Sequence, residues 1–388
     1  MVLNILTLLE DAPRYFARDA ISDADAERLW REFPNVIALE YPSPRTANRW
    51  RLTSQGYIGY IPLSESVHLS LQPKVPLGNL FRMWAVAYQM DVRFLSSLFH
   101  CQTVREAYAQ LAEVLAQRVL SRARNGLYRS YETHLAQLPA VRGRIDVAQA
   151  VRQPWQTHLP CQFEEHTADN ADNQLVAWSL HHIARSGLCD ERIQPIVQQA
   201  CRTLAGGVSL RAFAAHDCVG RSYHRLNQDY APLHALCHFF LNDVTSTHLS
   251  GTQPMLPFLI DMSALFEQFV AGWLQQHAPA QHAIKTQERI AIGSLRPRID
   301  LVWYSNGAPL CVLDTKYKAA QLPDERDVYQ VMAYADFKQC NEAVLVYPAA
   351  ILPFHIQSRS TRVRTLAFDL GGDLDVAGRT FIDEVLEG

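Results

Sequence analysis

Two short apolar segments, residues 298–303 and 311–318, carry charged side chains inside β-strand patterns. Asp300 stands among branched and aromatic residues in the first segment, and Asp314 follows a run of β-formers in the second. The Ser-Asn-Gly sequence at 305–307 is typical of a hairpin turn, so we expect the two strands to pair antiparallel. Acidic side chains are rare inside apolar strands unless they are paired or functional. The hairpin is therefore the first place to look for chemistry.

Alternation of side chains along a strand decides which of these charges meet. Asp314 and Lys316 are two residues apart, so we expect them to project together while Thr315 faces away. Asp300 on the neighbouring strand can converge on the same point. Such a cluster suits phosphodiester hydrolysis, in which a cation bound by oxygen ligands polarises the phosphate and a lysine orients or deprotonates water, or stabilises developing charge. The alternative is a buried Asp-Lys ion pair beside a second acid.

The segments around the hairpin predict further elements in a fixed order. An amphipathic helix over 262–277 carries a single acid, Glu267, among apolar residues. A second helix is predicted over 327–335, and an apolar strand over 343–347 follows it. The expected order is helix, three strands, helix, strand.

This order, with the acid, the Asp-x-Lys and a Gln-x-x-x-Tyr formed by Gln330 and Tyr334 one helical turn apart, covers roughly residues 260–350. The pattern resembles the PD-(D/E)xK nuclease superfamily in its RecB-like form. The resemblance implies an α/β nuclease core.

The whole chain of 388 residues is long enough for two or three domains, and we expect an α+β multidomain protein. Residues 1–75 hold short strand patterns broken by turn residues, which predict a small β-rich module. Residues 76–254 are expected to be mostly helical and to contact a partner or DNA, and residues 255–388 to form the nuclease domain. A stretch with Ser, Thr, Gly and two prolines, 245–257, is the predicted linker. The helical patterns of the middle region cover 77–98, 104–124, 173–186, 195–204 and 229–244.

Charge is unevenly distributed. The net charge of −3 gives no general attraction to nucleic acid, but residues 118–152 carry seven arginines against two acids. Within this stretch Arg142 and Arg144 either contact DNA phosphates or belong to a solvated surface.

The eight cysteines lack Cys-x-x-Cys spacing, which indicates reduced thiols in a cytosol rather than a zinc site or a disulfide framework. Neither a signal peptide nor an apolar segment of membrane-spanning length is recognised, so we expect a cytoplasmic protein without membrane contact. No Walker A pattern occurs, and we expect no nucleotide binding by this chain itself.

Several segments, each only a loose match by itself, narrow the resemblance to one family, McrC, the nuclease subunit of McrBC modification-dependent restriction systems. They are Gly56–Ile61, Leu71–Val75, Leu80–Trp84, Gly126–Tyr131, Val141–Asp146 and the acidic stretch 164–173. The similarity runs over nearly the whole chain, whereas the strand-rich first 75 residues have no counterpart in shorter McrC proteins. The resemblance implies cleavage of DNA bearing methylated cytosine, together with a hexameric AAA+ GTPase, McrB, whose hydrolysis McrC stimulates.

The same resemblance implies roles for individual residues. Asp300, Asp314 and Lys316 would be catalytic. Mg²⁺, or Mn²⁺, would be held by Asp300, Asp314 and Thr315, with Glu267 either completing the set or remaining an exposed acid. The residues expected to contact DNA are Gln330, Tyr334, Arg298, Arg142 and Arg144.

Two alternatives remain open from the sequence. The chain could be a solitary RecB-like repair nuclease or exonuclease that cuts without a partner. It could also act mainly as a non-catalytic activator of a motor NTPase.

Overall fold

The computed structural model describes residues 4–64, 66–88, 101–152, 155–241, 257–289, 297–358 and 361–387. The strands are β1 (Asn4–Leu9), β2 (Arg14–Phe16), β3 (Ile37–Glu40), β4 (Trp50–Ser54), β5 (Tyr57–Pro62), β6 (Val67–Gln72), β7 (Ser130–Leu138), β8 (Arg144–Ile145), β9 (Leu159–Thr167), β10 (Phe258–Asp261), β11 (His282–Arg289), β12 (Arg298–Ser305), β13 (Ala308–Thr315), β14 (Glu342–Tyr347), β15 (His355–Ser358) and β16 (Thr361–Ala367). The helices are α1 (Asp23–Glu32), α2 (Leu77–Ala87), α3 (Val104–Arg124), α4 (Val147–Arg152), α5 (Ala171–Ser186), α6 (Gln194–Ala205), α7 (Tyr230–Leu241), α8 (Met262–His277), α9 (Glu325–Lys338) and α10 (Leu374–Leu386). The predicted α+β class is confirmed.

The chain divides into two compact units. One contains the described residues of 1–107 and 257–388, and the other contains those of 108–241. These units do not coincide with the three predicted segments, because the first and last segments fall into the same unit. The predicted linker, apart from Pro257, and the end of the helix predicted over 77–98 lie outside the described residues.

A six-stranded sheet forms the C-terminal part of the first unit, in the order β11-β12-β13-β14-β16-β15. β12 and β13 are antiparallel, as predicted, and Asn306 and Gly307 between them have φ angles of 50° and 83°. Such positive φ values at both central residues define the hairpin turn that Asn-Gly favours. β14 pairs parallel to β13, and α9 packs against the sheet through Val328, Val331 and Ala335. The order α8, β11, β12, β13, α9, β14 is the one expected from the sequence.

A second sheet joins the N-terminal strands to the segment that precedes α8. Its order is β1-β6-β5-β10, so a strand just before α8 completes a sheet built by the N-terminal module. β10 pairs antiparallel with β5, and Leu259 lies opposite Gly59. Gly59 has φ 137°, and a Cβ there would lie 2.0 Å from the carbonyl oxygen of Phe258. The missing side chain is what allows the two strands to approach.

The remaining N-terminal strands form a small sheet, β2-β4-β3. Leu8, Trp50, Leu52, Leu69 and Leu71 are fully buried in one cluster, to which both N-terminal sheets and α1 contribute. Strand structure was predicted here, and the observed strands agree with it.

The second unit combines helices α5, α6 and α7 with a sheet in the order β7-β9-β8. The sheet was absent from the prediction of a mostly helical middle region. β7 and β9 pair over nine residues each, from Ser130 opposite Thr167 to Leu138 opposite Leu159. No disulfide joins any of the eight cysteines, all of which lie in the described ranges. In the described part of the chain, no helix is both long and apolar enough to cross a bilayer.

Candidate functional site

Asp300 and Asp314 face each other across the β12–β13 hairpin. Leu301 pairs with Leu313, and continuing this register by one residue sets the two acids opposite each other. The Asp314 side chain is 1% exposed. Burial, and then the charge of Asp300, raise the pKa of Asp314 to about 6. Burial also raises the pKa of Asp300. The pair therefore resists carrying two negative charges unless a cation compensates them.

Lys316 supplies part of that compensation. Its Nζ lies 2.6 Å from Oδ2 of Asp314 and 3.6 Å from Oδ1 of Asp327, and the side chain is 18% exposed. Burial lowers the pKa of Lys316, but the neighbouring carboxylates, Asp314 foremost, outweigh it and leave the pKa raised. The lysine is thus an ammonium, suited to binding an anion and unable to act as a base in this state.

Thr315 differs from the expectation that it faces away. Its backbone N–H donates to Oδ2 of Asp300 at 3.1 Å, and its hydroxyl donates to the same oxygen at 3.3 Å. β13 ends at this residue, so strict alternation no longer fixes the side chain. Thr315 therefore orients Asp300.

Glu267 is partly buried on α8 rather than an exposed surface acid. Burial, then the charges of Asp300 and Asp314, raise its pKa to about 7. The charges of both hairpin acids therefore act on the acid predicted in the first helix, whose carboxylate accepts a hydrogen bond from Gln287.

Sequence reasoning missed Gln287 and Asp327. Gln287 on β11 donates a hydrogen bond to Glu267 and accepts one from Arg298 Nη1 at 3.1 Å. Its φ of 51° lies in the left-handed region. A glutamine in the sequence gives no indication of this conformation, because glutamine rarely adopts it. Asp327 lies one turn before Gln330 on α9, and this spacing was an available signal for its approach to Lys316.

Gln330 lies beside the lysine, and Tyr334 contacts Gln330. Nζ of Lys316 donates to Oε1 of Gln330 at 3.4 Å, and Nε2 of Gln330 donates to the Tyr334 hydroxyl at 3.0 Å. The hydrogen-bond chain leads from α9 to the hairpin. These hydrogen bonds hold the Lys316 ammonium in position, and the amide of Gln330 and the hydroxyl of Tyr334 form a polar surface near it.

The predicted DNA-contacting arginines fall into two groups. Arg298 is exposed at the start of β12 and is linked to the cluster through Gln287. Arg142 and Arg144 are exposed in the other compact unit. Arg142 stacks over the Phe163 ring at 4.1 Å and lies 3.6 Å from Glu165.

The donor chemistry of the cluster fits a hard divalent cation. Its carboxylates repel one another, as the raised pKa values of Glu267 and Asp314 indicate, and oxygen donors are what Mg²⁺ prefers. Within the described ranges, no three His, Cys, Asp or Glu side chains form a ready-made metal cage. Mg²⁺ needs no such cage, because it is commonly held by one or two carboxylates together with waters and phosphate oxygens.

Comparisons with known proteins address the family. No curated protein matches the chain. A chain from the cryo-EM structure of the Thermococcus gammatolerans McrBC complex aligns with a TM-score of 0.44 and 18% identity, covering 70% of this chain and 87% of that chain. A chain from the refined half-complex of the tetradecameric assembly of T. gammatolerans McrB AAA+ hexamers with bound McrC aligns with a TM-score of 0.60 and 17% identity, covering 98% of this chain and 100% of that chain.

The alignment with the half-complex chain shows a similar fold. The family is shown by a match between the sequence and a family model. The model of the family described as McrBC 5-methylcytosine restriction system component matches residues 52–348, more than half of the 388 residues. The resemblance to McrC predicted from the sequence is thereby confirmed: the chain belongs to the family of McrBC 5-methylcytosine restriction system components.

Proposed function

We propose that this chain is the DNA endonuclease subunit of a McrBC-like restriction system and that it cleaves phosphodiester bonds with Mg²⁺ or Mn²⁺. The observation that carries the proposal is the pairing of a 1% exposed Asp314 with the Lys316 ammonium at 2.6 Å, opposite Asp300. A purely structural ion pair does not require a second, partly buried acid facing it, since that acid adds repulsion.

Each residue of the cluster has a distinct role in this proposal. Asp300 and Asp314 would hold the cation directly, with Thr315 orienting Asp300, and Glu267 would complete the set through a water ligand. When bound, the cation polarises the phosphate and lowers the pKa of a water ligand. The Lys316 ammonium binds a nonbridging phosphate oxygen and stabilises the charge that develops there. Gln330 keeps that ammonium in place, while Tyr334 and Arg298 contact the DNA backbone.

The proposal includes a partner, because this chain has no Walker A pattern. The similar chain of known structure comes from an assembly of McrB AAA+ hexamers with bound McrC. We propose that this protein likewise works with a McrB-like GTPase on cytosine-modified DNA and stimulates its hydrolysis. Arg142 and Arg144, on the other compact unit, are candidates for DNA contact there.

Substitution of the lysine tests the proposal. Lys316→Met should abolish cleavage of methylated DNA in the presence of the partner, GTP and Mg²⁺, because it removes the positive charge beside the scissile phosphate. Lys338→Met is the matched control: Lys338, at the end of α9, is 15% exposed and pairs with Glu288 of β11 at 2.5 Å. The control should cut at the wild-type rate.

Two further readouts separate the alternatives. Stimulated GTP hydrolysis should persist in Lys316→Met, since the lysine acts on DNA. Cleavage by the purified chain without a partner would favour a solitary nuclease. Wild-type cleavage by a folded Lys316→Met protein contradicts the proposed site altogether.

A further inference from the structure

Glu10 is a buried acid outside the cluster described above. It follows β1 in the N-terminal module, and its residue surface is 0% exposed. Its Oε2 accepts hydrogen bonds from the Tyr317 hydroxyl at 3.1 Å and from the Lys74 backbone N–H at 3.4 Å. Its Oε1 has no hydrogen-bond partner among the described residues. Burying an acid so sparsely satisfied is destabilising, and a role in function is one reason for keeping it.

Tyr317 connects this acid to the proposed catalytic lysine. It is the next residue after Lys316, in a tight turn in which the Lys318 N–H donates to the Lys316 carbonyl at 2.9 Å. Burial and the charge of Glu10 raise the pKa of Tyr317, so its hydroxyl stays protonated and donates to the acid. The ring also packs against Phe266, 5.7 Å between centroids, and Phe266 immediately precedes Glu267 on α8.

We propose that Glu10 is a positioning residue of the nuclease site, which anchors Tyr317 and thereby fixes the turn that presents Lys316 to Asp314. The inference rests on the proposed nuclease function and extends it to the strand-rich N-terminal module. On one side of the turn, Lys316 is held by its backbone N–H, which donates to the Val346 carbonyl at 2.8 Å. On the other side the hydroxyl of Tyr317 is a polar anchor to Glu10, beside the ion pair of Lys318 with Asp327 at 2.5 Å. Loss of that anchor frees the turn to rotate and moves the ammonium away from the carboxylate.

The inference also gives the N-terminal module a part in catalysis. Glu10 itself is fixed by a backbone hydrogen bond from its N–H to the Gln72 carbonyl at 2.9 Å, at the end of β6. The anchor is therefore part of the β1–β6 sheet rather than a loop. A rigid support of this kind is what a catalytic group needs to stay within a fraction of an ångström of its working position.

The test uses the full chain with its GTPase partner, methylated DNA and Mg²⁺. Tyr317→Phe removes one oxygen atom from a residue that otherwise stays in place. We expect kcat for cleavage to fall at least about tenfold, with KM for DNA unchanged, because small displacements of a catalytic group have effects of this size or larger. Tyr304→Phe is the matched control, since the Tyr304 hydroxyl donates to Glu288 at 2.9 Å in the same sheet. It should retain the wild-type kcat.

Substitution of the acid supplies a second measurement. Glu10→Leu should lower kcat for cleavage as much as Tyr317→Phe does. Glu10→Gln keeps a carbonyl oxygen that can accept the hydrogen bond from the Tyr317 hydroxyl, so its kcat should equal that of the wild type. A structural role alone would lower the melting temperature without this rescue and without a selective fall in kcat. Where Glu10→Leu does not fold, Tyr317→Phe decides the question.

The outcomes separate the inference from the proposed function. Wild-type protein that never cleaves DNA contradicts the proposed function, and the inference with it. Wild-type protein that cleaves, with Tyr317→Phe at the same kcat, overturns the inference alone. Equal activity of Glu10→Gln and Glu10→Leu also overturns it.

Discussion

Gln287 adopts a left-handed backbone conformation in β11, the strand next to Asp300. A non-glycine residue at φ 51° is strained by about 1 kcal/mol, so the position is costly to maintain. The side chain bonded to Glu267 and Arg298 gives a reason for that strain. Strain of this kind is found at functional sites when the surroundings hold the residue in place.

Gln287→Gly should separate stability from activity. Glycine accepts the left-handed conformation, so the melting temperature should hold or rise, while cleavage should fall because Glu267 loses its hydrogen bond. Gln339→Gly is the control, since Gln339 has φ 53° at the C-terminal end of α9, where glycine is favoured. It should stabilise the protein and leave cleavage unchanged. Wild-type cleavage by Gln287→Gly would show that its amide has no role at the site.

The acid at position 10 gives the protein a pH-dependent stability. Burial, and to a lesser degree the neighbouring charge of Asp11, raise the pKa of Glu10 from 4.5 to about 7, against opposing contributions from Lys74 and the Tyr317 hydroxyl. The folded state therefore holds the proton more tightly than the unfolded chain. The contribution to stability is complete below pH 4.5 and declines as the pH rises toward 7.

We expect Glu10→Gln to remove this decline. The difference in melting temperature between Glu10→Gln and wild type should grow in favour of the variant from pH 4.5 to pH 7 and then level off. Thermal melts across this range, without divalent cations, measure it. A difference that does not change with pH would mean that the acid titrates alike in the folded and unfolded states.

Helices and strands that are marked by nearby residues, such as a helix cap or a turn sequence, were predictable from the sequence. α8 has the predicted bounds because Asp261 caps it, accepting hydrogen bonds from the N–H groups of Ser263 and Ala264. The β12–β13 hairpin follows from its Asn-Gly turn, and the convergence of Asp300, Asp314 and Lys316 follows from the hairpin.

The contacts between distant segments were not predictable in this way. The pairing of β10 with β5 joins strands that lie far apart in the sequence. The contact of Glu10 with Tyr317, which the proposed positioning role uses, likewise has no local signal. Gln287 is similar, because the residues that it contacts, Glu267 on α8 and Arg298 on β12, lie on other elements. Side-chain periodicity reports which face of an element is buried but not what buries it.

The β5–β10 pair gives a prediction at the scale of elements. Gly59→Ala places a Cβ 2.0 Å from the Phe258 carbonyl oxygen at a φ of 137°, so the strands must separate or shift. We expect a loss of stability of more than about 2 kcal/mol, and a fall in cleavage because α8, with Glu267, begins directly after β10. Denaturant unfolding and cleavage assays measure the two effects.

Gly207→Ala is the control, because no atom lies within 4 Å of its Cβ position. It should leave both stability and cleavage unchanged. A Gly59→Ala protein as stable as the wild type would mean that the β5–β10 pair contributes little to the unit.

At the scale of the whole molecule, the unit that holds the proposed site is discontinuous in sequence. Its described residues come from 1–107 and 257–388, and the helices and sheet of the other unit lie between them in the chain. The N-terminal strands bury Leu8, Leu69 and Leu71 in the same cluster as Leu259 of β10. Removing either end of the chain exposes that cluster, so we expect the two ends to fold together.

Hydrogen exchange in the full chain tests this cooperativity. As denaturant is added, the amides of β5 and β10 should lose protection in one opening, with the same free energy and the same denaturant dependence. The amides of α5, α6 and α7 provide the internal reference and should open in a transition of their own, because they belong to the other unit. Openings of β10 and α8 at a free energy well separated from that of β1, β5 and β6 would contradict the joint unit. The segment after residue 257 would then be an independent folding domain, and the influence of Glu10 on the site would have to act across a boundary rather than within one core.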